Sequence, residues 1–278
     1  MGMWTPAQGW NQRADRIPTT TSSAGVTLTG HATPLSETTA WTELIASVAA
    51  DAVGILITLG ATAAGNTSAL VDIAIGAAGS EQLLISNLAG GYSGGWGIGN
   101  ETPKHYYFPL YIASGTRLAG RVHYAATASE TVECALWLIG GRRHEARFVG
   151  SKVTTYGAVT ASARGTLVTA GNNIYGSTAQ LAASTADPIK AMQVGIQGGS
   201  DATLTNYRGY LKILAGTTIL LDDLAWYVAS NEWITAVQTN LLLSHSSLNW
   251  PAALDLGAQT QVNGTTNVVH DCILYGVS

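Results

Sequence analysis

The chain has 278 residues, 46% of them hydrophobic and only 11% charged, with 32 glycines and a formal net charge of −4. Ordinary globular proteins carry about 25% charged residues, so this surface is polar without being charged. With a pI near 5.8, the chain offers no electrostatic footprint for nucleic acid or an anionic membrane. Sparse charge also removes repulsion between surfaces, which points to cover by other subunits.

Residues 1–24 read as an N-terminal arm. They hold Trp4, Trp10, Pro6, Pro18 and the run "PTTTSSAG", too little to make a core. An extended arm anchored by Trp4 and Trp10 on a neighbouring subunit fits this composition, as does a strap across its own domain. There is no basic start followed by an apolar run, so synthesis in the cytoplasm is expected and secretion is not.

Residues 25–141 read as a first β-domain. "ILITLG", "LVDIAIG", "QLLISNL", "RLAGRVHY" and "VECALWL" are short apolar or alternating runs parted by Gly, Ser, Thr and Asn, the pattern of strands and turns. "ETTAWTELIASVAAD" (37–51) fits a helical spacing of Trp41, Leu44, Ile45 and Val48 or a strand at "WTELIAS". The apolar stretch 44–60 is broken by Ser47, Asp51 and glycines and is too short to span a bilayer, so no membrane insertion is expected. "AGGYSGGWGIGNETP" (89–103) has Gly-x-Gly spacing but no helix after it, so it does not read as a phosphate loop. It reads as a long loop whose Tyr92 and Trp96 offer stacking faces for a sugar.

Residues 142–159 read as a linker, and the basic run "GGRRHEARFVGSK" around its start as a solvated one. Residues 160–278 then repeat the first domain. Leu44 is matched by Leu181, Gly79 by Gly216, Leu88 by Leu224, the Pro109–Gly115 stretch by Pro251–Gly257, and Cys134 by Cys272. The expected architecture is all-β: a tandem duplication of two β-sandwich (jelly-roll-like) domains with an extended N-terminal arm.

The two cysteines admit a disulfide, a metal site or an echo of that duplication. A cytoplasmic chain disfavours the first. The histidines show no metal-ligand spacing, and "HDC" (270–272) sets His270 where the first domain has Val132. The remaining reading is one last strand written twice, each copy burying its cysteine as a small apolar residue. On that strand Trp137 and Tyr275 fall on the face opposite the cysteines. As a pair they are candidate interface residues, or else residues buried against the second sheet or the sister domain. No nucleophile elbow occurs, and adjacent Asp222 and Asp223 point to opposite faces, so no catalytic residue, cofactor or metal is expected.

"LVDIAIGAAGSEQLLISNL", "FPLYIASGTRLAGRVHY" and "VECALWLIGG" resemble segments of the structural proteins of tailed-bacteriophage virions. The second domain is similar more loosely and lacks counterparts of Arg117 and Arg121. The resemblance implies a virion component, a head decoration, fibre or tail-associated protein, working by contact with other capsid or tail proteins. Two such domains per chain, arranged as a trimer, would make a pseudo-sixfold homo-oligomer. The alternative is a carbohydrate-binding module for a host surface glycan, with Tyr92, Trp96, Trp233 and Trp250 as stacking platforms. A glycan-cleaving enzyme is the third reading.

Overall fold

The computed structural model describes residues 14–17, 25–61, 69–90, 104–125, 128–140, 150–158, 165–198, 207–228, 233–234, 241–242, 250–262 and 269–278. Among these residues the protein is all-β, without a helix. The strands of the first half are β1 (Ala14–Ile17), β2 (Val26–Thr29), β3 (Thr42–Ile45), β4 (Ala52–Ala61), β5 (Ala69–Ile75), β6 (Gln82–Gly90), β7 (Lys104–Phe108), β8 (Leu118–Ala125) and β9 (Thr131–Gly140). The second half adds β10 (Val153–Tyr156), β11 (Thr166–Thr169), β12 (Gly171–Asn172), β13 (Ala179–Ala182), β14 (Ala191–Gly198), β15 (Tyr207–Ala215) and β16 (Thr218–Val228). It closes with β17 (Trp233–Ile234), β18 (Leu241–Leu242), β19 (Leu256–Val262) and β20 (Val269–Val277). Of the two readings of 37–51, the strand is the one present, as β3.

Pairing in the first half is repeated in the second. β9 pairs with β2 and β4, as β20 pairs with β11 and β14. β5 lies between β6 and β8, as β15 lies between β16 and β19, and β3 joins β8 as β13 joins β19. The registers agree in detail. Cys134 faces Val26 and Leu59, and Cys272 faces Thr166 and Ile196. Leu44 and Leu181 both sit in the bulge that interrupts their strand's pairing, and both are buried. Asn87 and Asp223 share a left-handed backbone, each at φ 49°, one residue before Leu88 and Leu224, which face Val71 and Leu211.

Two of the expected matches shift. Gly76 and Gly216, both at positive φ, directly follow β5 and β15, so Gly216 corresponds to Gly76 and not to Gly79. The first hairpin has a longer turn, which displaced the match. Likewise Val48 bonds to Thr116 and Gly115, whereas Thr185 bonds to Leu254 and Ala253. Gly115 therefore corresponds to Ala253, and the prolines 109 and 251 are not equivalents.

The segments expected to be arm and linker each contribute a strand. β1 pairs with β9 through Arg16–Trp137, as β10 pairs with β20 through Thr155–Tyr275. Residues 14–17 thus have a counterpart in the second half, which the sequence comparison missed. β10 does something further: its Val153 also pairs, in parallel, with Ile85 of β6. That splices β17-β14-β20 and β6-β5-β8-β3 into one ten-stranded sheet through β10. Two five-stranded sheets flank it, β1-β9-β4-β7 with β2, and β12-β19-β15-β16 with β13.

Two apolar cores result, and β20 serves both. Cys272 and Leu274 enter the second core with Val194, Leu211 and Ile213. Ile273, Tyr275 and Val277, on the opposite face, enter the first with Leu136, Phe108 and Ile85. The Tyr275 ring stands edge-on to Tyr106 and Phe108, with centroids at 5.4 and 6.1 Å. Its hydroxyl accepts the Ala89 N–H at 3.1 Å, and Tyr106 donates to the Ala89 carbonyl at 2.5 Å. Burial pushes the Tyr275 hydroxyl up to about 12, so it stays protonated. Gly150 bonds Pro109 and Tyr111 beside this seam, and a Cβ there would lie 2.3 Å from Val277 Cγ1.

Because Tyr275 ties the halves together, Tyr275→Ala should cost about 3–5 kcal/mol through its cavity. It should also split thermal unfolding into two steps by calorimetry. Tyr275→Phe, which keeps the ring but strands a buried N–H, should cost about 1–3 kcal/mol and leave one transition.

Candidate functional site

The most concentrated polar chemistry lies on the face of the first half's β5, β6 and β8 that is turned away from the core. Asp72 and Arg121 face each other across β5 and β8. The Asp72 side chain is 1% exposed, and its Oδ2 lies 2.9 Å from both Arg121 Nε and Nη2. Its Oδ1 accepts the Asn87 N–H at 2.8 Å. Arg121 donates onward to the Thr38 carbonyl at 2.9 Å, and its guanidinium stacks 4.6 Å from the Trp41 ring. His123 closes the group, with Nδ1 at 2.9 Å from Asn87 Oδ1 and Nε2 at 3.2 Å from Glu37 Oε1.

A buried carboxylate survives only if its lone pairs are satisfied, and here each Asp72 oxygen is engaged. Both nitrogens of His123 are occupied as well. No serine, threonine or cysteine nucleophile takes part in these contacts. The cluster acts as a tie: it lashes the 35–41 segment, itself bonded to β8 through Leu35 and Thr38, onto the sheet. A second tie at the hairpin end joins Arg117 to Glu43 and Glu81, each at 3.0 Å, and to the Gly76 carbonyl.

The second half keeps the place and changes the chemistry. Lys212 and Gln259 take the cross-strand positions of Asp72 and Arg121. Lys212 Nζ meets Asp222 at 3.1 Å and lies 4.0 Å from the Tyr175 ring centroid. Tyr175 donates to Asp223 at 2.5 Å, and Gln259 to Thr178 at 2.7 Å. The segment 173–178 is again held to its sheet, through Asn173 and Gly176. At the hairpin end Gln180 bonds Asp255 where Glu43 meets Arg117. The absence of arginine counterparts in the second half is thus offset by a different set of polar ties.

The expected site residues separate. Tyr275 is wholly buried inside the chain, so its contact surface is the first half. Trp137, at the same register position, is only partly buried. Trp250 packs against the second core while its backbone bridges Ile189, and Trp233 pairs with Gln197. Trp4, Trp10, Tyr92 and Trp96 lie outside the described residues. Cys134 and Cys272 are unbridged thiols in different cores, each pushed up to about 12 by burial. Among the described residues no cluster of His, Cys, Asp and Glu is placed to hold a metal ion, and no helix could cross a membrane.

The exposed edges are what sequence reading missed. No motif marks them, because an edge is defined by what fails to pair with it. The sequence matches no protein-family model and no curated protein.

Two substitutions test the local account. Removing Asp72 leaves the half-buried Arg121 without its main partner, so Asp72→Ala should destabilise by about 3 kcal/mol in urea titrations. His270 is fully buried, and burial lowers its pKa from 6.5 to about 3. The unfolded chain therefore takes up a proton, as pH falls from 6.5 towards 3, that the folded chain refuses. Stability from this group is full above that window and declines within it, by on the order of 1 kcal/mol per pH unit. His270→Val, matching Val132, should flatten the loss between pH 6.5 and 4.

Proposed function

We propose that this is a non-enzymatic structural protein that works by protein–protein contact. We read it as a tandem duplication of a jelly-roll-like β-sandwich, serving in the virion of a tailed bacteriophage as a capsid decoration or a tail- or fibre-associated component. The observation that carries this reading is the splice through β10. The fold's own means of joining one half to the next is strand pairing at a sheet edge, backed by a buried aromatic, and among the described residues further edges of the same kind are unpaired. The polar clusters support it, because their groups are consumed in holding segments to sheets. The equivalent pairing registers support the duplication. The phage setting rests on the sequence resemblance alone.

Immunogold labelling of purified particles tests the setting. The chain should decorate intact virions at regular positions, and a variant lacking residues 1–24, still folded by circular dichroism, should fail to incorporate. Infectious particles that are complete without the chain, or normal incorporation of the shortened variant, would contradict the proposal.

A further inference from the structure

The junction between the halves has two sides, and each side has a counterpart elsewhere on the chain. On one side is the outer edge of β6, covered by β10, where Ile85, Asn87 and Ala89 are buried. Its counterpart is β16, which ends its sheet among the described residues. There Asp222, Asp223 and Ala225, in the places of Ser86, Asn87 and Ala89, are exposed, and Leu221, in the place of Ile85, is half-buried. On the other side is β10 with the back of β20. Its counterpart is β1, which also ends its sheet, with the back of β9. Trp137 and Ile139 are partly exposed there, where Tyr275 and Val277 are buried.

Every chain thus carries both sides of this junction a second time, uncovered among the described residues. We propose that β16 of one copy is continued by β1 of a second copy, head to tail, repeating between chains the junction that β6 and β10 make within one. This deepens the assembly reading above and does not depend on the phage setting.

The chemistry is complementary. Across the internal junction Thr155 donates its N–H to Ser86 Oγ at 3.3 Å and its hydroxyl to the Ser86 carbonyl. Between copies the same register positions fall to Arg16 and Asp222, a basic residue and an acidic one. Asp222 is 52% exposed although it already meets Lys212, which leaves it open to a second cation. The left-handed residue Asp223 is no obstacle, because Asn87 has the same backbone and β6 is paired beside it. An open strand edge is a template for a further strand. A head-to-tail contact of this kind closes into a ring or runs on as a filament.

The test is a cysteine pair at the positions of Val153 and Ile85. On mild oxidation, the double variant Ala14→Cys/Leu221→Cys should give a ladder of covalent multimers on non-reducing gels. Neither single variant should do so, since both native cysteines are buried. In light scattering, Asp222→Arg should weaken self-association at least tenfold more than Asp222→Ala, which removes only the contact with Lys212, and adding Arg16→Asp should restore it. Oligomers that form without the ladder would overturn this junction and leave the assembly reading standing. A monomer at every concentration, with the β16 carboxylates guarding a free edge, would overturn both.

Discussion

The hydroxyl of Tyr275 takes the N–H of Ala89, from the other half of the chain, in a site where neither group can reach water. Around that bond, rings from β7 and β20 meet edge to face, and β20 turns one apolar face to each core. A strand buried on both faces has no solvent side, which explains its run of apolar residues from Cys272 to Val277. β9, its register counterpart, alternates instead: Val132, Cys134, Leu136 and Leu138 are buried, while Glu133, Trp137 and Ile139 are partly open. The difference between these two strands follows from one fact, that something covers the back of β20 and nothing among the described residues covers the back of β9.

The rest of the structure holds this seam in shape. The segments 35–41 and 173–178 are tied over corresponding sheet faces, one by Asp72, Arg121 and His123, the other by Lys212, Asp223 and Tyr175. Reversed charge at one register position keeps the tie because the requirement is geometric: any satisfied polar pair will hold the segment down. In the first half the tie reaches the junction as well, since Asn87 donates from Nδ2 to the Ala158 carbonyl at 2.7 Å.

Much of this was legible in the sequence. The β class follows from short alternating runs, and the register equivalence of Cys134 with Cys272 and of Leu44 with Leu181 shows in the letters, because core positions tolerate few residue types. Gly79 and the prolines misled because turn length drifts freely at the surface. β1 and β10 escaped notice because "ADRI" and "VTTY" share no apolar pattern; their correspondence lies in backbone pairing, which any side chain permits. The ties were hidden for a related reason. Asp72 and Lys212 look unrelated until the register sets them at one place. Trp137 and Tyr275 hold the same register position on β9 and β20, but whether that face is covered depends on a long-range contact that local pattern does not encode.

The central claim is that β6 and β16 hold corresponding places in their sheets, one covered by β10 and the other uncovered among the described residues. Amide hydrogen exchange compared between residues 82–90 and 218–228 across a range of protein concentrations tests it most directly. At low concentration the second segment should exchange faster than the first, and its protection should rise to match as the chains associate. Equal protection in a dilute monomer, or a 218–228 segment that stays fast in a fully associated sample, would contradict the account.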